Sequence, residues 1–168
     1  MTKAILTQSH LKELIHYCQD AGTFTRIKSP YKAKIGVIKT IANSSAGYFQ
    51  IMLNGKPYKA HRLAWLYIHG NFPENDTDHI NGIRTDNRLV NIREATHAEN
   101  MQNVGLTCAN TSGYKGVSYH KSRGKWYVRI SIDGKQKNLG YFNTPESASQ
   151  AYEESAKIHH AEFYYRNN

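Results

Sequence analysis

The segment between residues 76 and 100 constrains the fold more than any other part of this chain. Thr77–Ile80 has the composition of a short strand, and Asn81-Gly82 follows as a turn. Leu89–Ile92 is then predicted to return as the second strand of a hairpin. Thr96 with Glu99 three positions later has the form of a capping box, so a helix is predicted to begin directly after the hairpin.

Four polar residues of this segment have the chemistry of a hydrolytic site. Asp78 precedes His79 on the first strand, Asn91 lies on the second strand, and Asn100 falls in the first full turn of the helix. Oxygen ligands hold hard divalent cations, and an imidazole beside such an ion activates water. Taken singly, each residue also suits an ordinary hairpin with exposed polar side chains. Taken together, they favour a metal-dependent site.

The same residues lie within a longer pattern that resembles a known family. The order and spacing of its parts are similar to those found in HNH endonucleases. The parts are His61-Arg62-Leu63-Ala64, Asp78-His79-Ile80-Asn81-Gly82, Asp86-Asn87-Arg88-Leu89-Val90-Asn91 and Asn100. The resemblance is to the phage and intron-encoded subgroup whose last motif residue is Asn.

This resemblance implies a ββα-metal nuclease fold and a role for each motif residue. His79 is then the general base, and Asp78 and Asn100 are ligands of a single Mg²⁺ or Mn²⁺ ion. Asn91 holds the hairpin and orients His79. At the start of the preceding helix, His61 and Arg62 are expected to pack or to contact phosphate rather than to catalyse.

The distribution of charge indicates a polyanionic partner. No acidic residue occurs between Ala21 and Pro73, and such one-signed stretches favour nucleic acid through phosphate neutralisation. A membrane surface is the weaker alternative, because these residues do not lie on an amphipathic helix. This strand-rich stretch is expected either to lie along the duplex or only to support the nuclease core. Its basic residues are Arg26, Lys28, Lys32, Lys34, Lys39, Lys56, Lys59 and Arg62.

Cysteine content and hydropathy exclude other classes. Cys18 and Cys108 form no Cys-x-x-Cys pair, so no structural zinc is expected. No segment has the length and apolar character of a membrane span, and the N-terminus lacks the apolar core of a signal peptide. An intracellular, cytoplasmic protein is therefore expected, and the family resemblance implies that it belongs to a phage or its bacterial host.

Periodicity and turn residues predict the remaining elements of the first half. Ser9–Gln19 is predicted to be a helix, because apolar residues recur at helical spacing. A second helix, His61–His69, is predicted to end at Gly70. The predicted strands are Thr23–Ile27, Lys34–Ile38, Tyr48–Leu53 and Lys56–Lys59, the last two joined by an Asn54-Gly55 turn.

The second half of the chain has a different pattern. Three strands, Tyr114–His120, Lys125–Ile132 and Lys135–Phe142, are predicted to precede a helix opened by Thr144-Pro145. The residues of this helix predicted to face the core are Ala148, Ala151, Tyr152, Ser155 and Ile158. Three segments of this half resemble the DNA-binding domain of plant ethylene-response transcription factors. They are Ser112-Gly113-Tyr114-Lys115-Gly116-Val117, Gly124-Lys125-Trp126-Tyr127-Val128 and Leu139-Gly140-Tyr141-Phe142.

This second resemblance implies a three-stranded sheet that reads the major groove, with a helix packed behind it. Lys115 replaces the Arg of the plant pattern and Asn138 the frequent Trp, so the plant target sequence is not implied. A sheet that contacts only phosphate is the alternative. Over the whole chain, the residues expected to bind DNA are Arg26, Lys28, Arg62, Lys115, Tyr119, Lys121, Arg123, Lys125, Trp126, Arg129 and Lys137.

The sequence thus predicts an α+β protein with two domains. Residues 1–104 form the nuclease domain, with the ββα-metal core at about 60–104; residues 105–112 form a linker, and 113–168 form the DNA-binding domain. The predicted function is metal-dependent, site-specific cleavage of double-stranded DNA, with nicking by a monomer and double-strand cleavage by a homodimer both open. The alternative is a non-catalytic DNA-binding regulator that keeps the nuclease scaffold.

Overall fold

The computed structural model describes residues 5–28, 35–38, 41–42, 47–103, 105–106, 109–132 and 134–160, with 41–42 as backbone only. These residues form a mixed α+β structure. The chain divides into two compact units, Met1–Ala95 and Thr96–Asn168. The predicted linker, 105–112, falls inside the second unit, and the domain limits proposed from sequence stay a prediction. None of the described helices has the length and hydropathy needed to cross a bilayer.

The first unit consists of short antiparallel sheets around one apolar core. Its elements are α1 (Gln8–Leu14), β1 (Ile15–Cys18), β2 (Thr23–Arg26), β3 (Gly36–Val37), β4 (Ile41–Ala42), β5 (Phe49–Leu53), β6 (Lys56–Lys59), α2 (Ala60–His69), β7 (Asp76–His79) and β8 (Ile92–Ala95). The strands pair as β1-β2-β3, β4-β5-β6 and β7-β8. The buried core includes Leu11 of α1, Leu63 of α2 and the strand residues Phe24, Ile51 and Ile92.

Two local predictions for this unit are confirmed. β5 and β6 form a hairpin in which Leu53 pairs with Lys56. The turn residues Asn54 and Gly55 have φ of 50° and 75°, the positive values that a tight two-residue turn requires. α2 ends at Gly70, which has φ of 88° and donates its N–H to the Leu66 carbonyl.

The prediction of one helix over Ser9–Gln19 was wrong in its second half. α1 ends at Leu14, and β1 begins at Ile15 and pairs with β2. Ile15 and Tyr17 are buried while His16 between them is exposed, which is a two-residue period. β-branched and aromatic residues favour that conformation, and tertiary pairing outweighs the helical spacing of the apolar residues.

The return strand of the central hairpin also differs from its prediction. Leu89–Asn91 forms a 3₁₀ turn, and β8 begins only at Ile92. The Leu89 N–H donates to the Gln19 carbonyl at 3.0 Å instead of joining the β7 ladder. This residue is therefore held by the turn between β1 and β2.

Several predicted features lie outside the described residues. They are the turn Ser29-Pro30, the basic residues Lys32, Lys34 and Lys39, the loop Ser44–Ala46, the linker residues Val104, Thr107 and Cys108, the turn residue Asp133, and the stretch 161–168. The strand predicted over Lys34–Ile38 corresponds to the shorter β3, Gly36–Val37. No strand was predicted from the sequence where β4 lies.

The described part of the second unit contains α3 (His97–Asn103), β9 (Val117–His120), β10 (Lys125–Ile132), β11 (Lys135–Phe142) and α4 (Pro145–His159). The three strands form an antiparallel sheet of order β11-β10-β9. Val117, Val128, Ile130 and Tyr152 are among its buried core residues.

The boundaries of β10, β11 and α4 agree with the predictions, but two details do not. β9 begins at Val117 rather than Tyr114, because the Ser112 hydroxyl donates to the Val117 carbonyl and contacts Tyr114, which holds this stretch as a turn. Ile158 is 75% exposed, and Ala156 takes the inward position instead.

Candidate active site

The β7–β8 ladder places a buried ion pair at the centre of the predicted site. Asp78 lies directly opposite Arg93, and its Oδ2 atom accepts hydrogen bonds from Nε at 3.1 Å and Nη2 at 2.8 Å. The side chains are 7% and 15% exposed, respectively. Arg93, which the sequence analysis did not single out, therefore orients the carboxylate that was predicted to bind metal.

His79 is buried among aromatic rings contributed by other elements. Its imidazole lies edge-on to His61 of α2, with ring centroids 4.9 Å apart, and 5.8 Å from the ring of Tyr48. His61 and Tyr48 also contact each other at 5.0 Å. The motif indicated a packing or phosphate-contacting role for His61, but no sequence signal pointed to Tyr48, which reaches the site only through the tertiary fold.

The environment of His79 favours its neutral form. Burial lowers the pKa of His79 below its ordinary value and outweighs the opposing hydrogen bond with Asn87 and the carboxylate of Asp78. Burial likewise lowers the pKa of His61, to about 3. A neutral imidazole has a lone pair that accepts a proton, as a general base must.

Asn91 closes the loop of the hairpin through its side chain. Its Oδ1 atom accepts from the backbone N–H of Asn81 at 2.9 Å, and its Nδ2 donates to the Asp86 carbonyl at 2.8 Å. The backbone carbonyl of Asn91 also accepts a hydrogen bond from the N–H of Ile80, the residue after His79. The amide thus ties together both sides of the loop that follows the predicted base.

We expect Asn91→Ala to lower the free energy of unfolding by about 1–3 kcal/mol, because two part-buried backbone groups lose their partners. Urea unfolding followed by circular dichroism measures the change. Asn71→Ala is the matched control, since the Asn71 amide makes one exposed, local hydrogen bond to Phe72. Equal losses in the two variants would contradict a bracing role for Asn91.

A second set of contacts supports the same loop. Arg88 donates two hydrogen bonds to the Asp86 carboxylate, at 2.8 and 2.6 Å, and Asn81 donates a third at 2.8 Å. These hydrogen bonds, those from Arg88 above all, hold the pKa of Asp86 well below its usual range. Asp86 therefore stays ionised and works as a structural anchor of the loop.

The β1–β2 hairpin packs against this loop from the other side. The Tyr17 hydroxyl donates to the Asn87 carbonyl at 2.7 Å. Gly22, with φ of 66°, approaches so closely that an added Cβ would lie 2.6 Å from the Arg88 nitrogen. These contacts favour a supporting role for this hairpin of the basic N-terminal stretch.

Asn100 belongs to α3 in the second unit. The capping box that begins this helix is present: the Thr96 N–H donates to Glu99 at 2.7 Å, and the Glu99 N–H donates to the Thr96 hydroxyl at 3.3 Å. The Asn100 N–H donates to the Thr96 carbonyl at 2.9 Å. The side chain thus lies in the first full turn, as the capping box predicted.

The predicted DNA contacts of the first unit have different local roles. Arg26 donates to the Met52 carbonyl at 3.0 Å, and Lys28 is exposed. Arg62 lies over the Phe72 ring and donates to the Pro73 and Asn75 carbonyls at 3.5 and 3.4 Å. Arg62 therefore braces the segment that leads into β7.

In the second unit, the sheet face that carries Tyr127 and Tyr141 combines stacked rings with guanidinium groups. The two rings lie 5.0 Å apart. Arg123 lies over Tyr141 at 4.6 Å, and Arg129 lies over Tyr127 at 5.2 Å. Tyr119, Lys121, Lys125 and Lys137 are also exposed.

Two other predicted DNA contacts of this unit are oriented toward protein. Trp126 packs on the core beneath the sheet. The Lys115 ammonium donates to the Gln102 carbonyl near the end of α3 at 2.5 Å. Burial lowers the pKa of Lys115 to about 8. Lys115 therefore fastens α3 within its unit.

The donor chemistry suits a hard divalent cation. Carboxylate and side-chain amide groups, such as those of Asp78 and Asn100, offer the oxygen atoms that Mg²⁺ and Mn²⁺ prefer. In the parts of the chain that the structure describes, no three or more His, Cys, Asp or Glu side chains cluster as a metal site. Asp78 and Asn100 therefore stay predicted metal ligands.

Comparison with known proteins identifies the family. Residues 58–102, which include β7, β8 and most of α3, match the family model described as HNH endonuclease. Protein 3.8 of Escherichia phage T7 is 33% identical over 106 residues, which are 61% of this chain and 88% of that protein. The chain belongs to the HNH endonuclease family.

One solved structure also resembles the chain. It is titled "DNA binding and cleavage by the HNH homing endonuclease I-HmuI", has 18% sequence identity and superposes with a TM-score of 0.42. The match covers 84% of this chain and 82% of the other.

Proposed function

We propose that this protein is a metal-dependent, site-specific DNA endonuclease of the homing or phage-encoded type. The observation that carries the proposal is the environment of His79. A buried, neutral imidazole follows an aspartate that Arg93 orients, and Asn91 braces the loop beyond it. In a member of the HNH endonuclease family, this arrangement supports hydrolysis of a phosphodiester bond.

In the proposed reaction, His79 accepts a proton from a water molecule as the water oxygen attacks phosphorus. The bond to the 3′ oxygen breaks, and the leaving oxygen takes up a proton from solvent, so the products carry a 5′ phosphate and a 3′ hydroxyl group. Asp78 and Asn100 would hold Mg²⁺ or Mn²⁺, which would supply positive charge that stabilises the phosphate and the leaving oxygen. Arg93 keeps the Asp78 carboxylate in one orientation throughout.

The second unit is proposed to select the DNA site. Arg123 and Arg129 are exposed guanidinium groups on the aromatic sheet face, and guanidinium suits bidentate contact with guanine. Lys121, Lys125 and Lys137 are proposed to contact phosphates. A monomer has one catalytic site and would nick one strand, whereas a homodimer would cut both strands. The proposed place of action is the cytoplasm of a bacterial host.

A plasmid-cleavage assay tests the proposal directly. Supercoiled plasmid incubated with the protein and Mg²⁺ is expected to convert to nicked or linear product, whose ends a ligase can rejoin. Retention of the plasmid on the protein without cleavage, in Mg²⁺ and in Mn²⁺, would instead favour a DNA-binding regulator that keeps the nuclease scaffold.

A further inference from the structure

Two cations from separate segments share one aromatic ring in the first unit. The Lys59 ammonium lies 4.7 Å from the centroid of the Tyr48 ring, and the Arg84 guanidinium carbon lies 5.1 Å from it. Lys59 is the last residue of β6, whereas Arg84 lies in the loop after β7. Only the folded chain brings these two side chains together, and both are exposed.

The shared ring is part of the surroundings of His79. Tyr48 is the residue whose centroid lies 5.8 Å from that of His79 and 5.0 Å from that of His61. Arg84 is close enough to His79 to act on its imidazole electrostatically, and Lys59 acts in the same way on His61. One positive charge therefore acts on the proposed general base, and a second lies over the aromatic ring next to it.

Two cations held close together can contact one anion from two sides. The Tyr48 ring holds Lys59 and Arg84 through cation–π attraction. The DNA backbone presents one negative charge on each phosphate diester, and proteins bind it through Lys and Arg side chains. A diester contacted by both side chains would lie next to the imidazole.

We propose that Lys59 and Arg84, positioned by Tyr48, form a phosphate clamp that binds the DNA strand at and next to the bond to be cut. This inference rests on the proposed endonuclease function and adds substrate-binding residues to it. Lys59 belongs to the basic N-terminal stretch but was not among the residues expected to bind DNA, and neither was Arg84.

The competing explanation is an ordinary surface cation on an aromatic ring, and the same unit contains a matched example. Lys12 lies 5.1 Å from the centroid of Tyr67, and that pair does not contact His79 or His61 through any described ring contact. Lys12→Ala therefore removes a similar cation–π pair and one positive charge from a different part of the unit.

The test compares Arg84→Ala, Arg84→Lys, Lys59→Ala and Lys12→Ala in the full-length protein. Single-turnover cleavage of a plasmid or duplex that the wild type cuts gives the rate, and fluorescence anisotropy at several salt concentrations gives the affinity. Arg84→Ala is expected to slow cleavage by about 10²-fold, the loss typical of one charge-stabilising group at a reacting centre. Arg84→Lys should recover part of that rate, because it keeps the charge but not the fork geometry.

Binding provides a readout that does not depend on cleavage. Arg84→Ala and Lys59→Ala should each reduce the slope of log affinity against log salt by about one unit, as the loss of one phosphate contact predicts. Lys12→Ala should leave both rate and slope at wild-type values. Thermal unfolding should change little, and to a similar extent, in the three alanine variants, since each loses one exposed side chain and one cation–π contact.

If Arg84→Ala and Lys59→Ala keep the cleavage rate and the salt slope of the wild type, the proposed clamp is wrong. It is also wrong if Lys12→Ala changes the rate and the slope as much as they do. If the wild type binds DNA but does not cleave it, the proposed endonuclease function is wrong. The salt slopes of the variants then still show whether Lys59 and Arg84 bind phosphate. Slopes lowered only by the Lys59 and Arg84 variants would then support the clamp as a phosphate-binding site.

Discussion

His79→Ala is expected to abolish cleavage while DNA affinity stays close to that of the wild type. The imidazole is buried and kept neutral, and the proposed mechanism has no other group that accepts the proton of the attacking water. Loss of a general base typically reduces the rate by about 10²–10⁴-fold. Single-turnover cleavage together with anisotropy binding separates the effect on chemistry from the effect on affinity.

Two further measurements distinguish a lost base from a damaged fold. Added imidazole should restore part of the rate of His79→Ala, because it supplies the missing proton acceptor in the vacated space. His69→Ala, which removes an exposed imidazole at the end of α2, is the control and should cleave normally. Wild-type turnover by His79→Ala would place the base elsewhere in the protein.

The pH dependence should follow from the same residue. Only the neutral imidazole accepts a proton, so the rate should fall as pH drops through the folded-state pKa of His79. Burial lowers that pKa below its ordinary value of 6.5, so the acidic limb of the profile should lie below pH 6.5. An acidic limb centred above that value would contradict the proposed environment of the base.

Asp78→Ala is expected to have the second large effect, on both cleavage and stability. It removes the proposed metal ligand and leaves the Arg93 guanidinium without the carboxylate it contacts at 2.8 Å. Breaking a buried pair by removing one partner costs about 3–5 kcal/mol. Cleavage should fall to background, and the midpoint of urea unfolding should fall with it.

A double substitution separates the two causes. In Asp78→Ala/Arg93→Ala both members of the ion pair are absent, so much of the stability should return while cleavage does not. Asn100→Ala should also weaken cleavage and raise the Mg²⁺ concentration needed for it. Excess EDTA should stop the wild-type enzyme, and full activity in the chelator would refute the metal-dependent reaction.

Features that depend on a few neighbouring residues were determined by the sequence alone. Asn54-Gly55 specified the β5–β6 turn, Gly70 ended α2, and Thr96 with Glu99 began α3. The family motif identified Asp78 and His79, and the structure places both on one buried strand. These signals are reliable because turn and cap geometry is set by the conformational preferences of the residues involved.

Only the tertiary structure decided how the surroundings of these residues are built. The spacing of apolar residues in α1 and β1 satisfied a helix as far as Cys18, but pairing with β2 converted its second half into a strand. Arg93 is oriented toward Asp78 because antiparallel register makes the two residues directly opposite. Tyr48, Lys59 and Arg84 meet near His79 through packing between distant segments. Such contacts depend on which sheet faces and helices pack together, and no local preference in the chain encodes that choice.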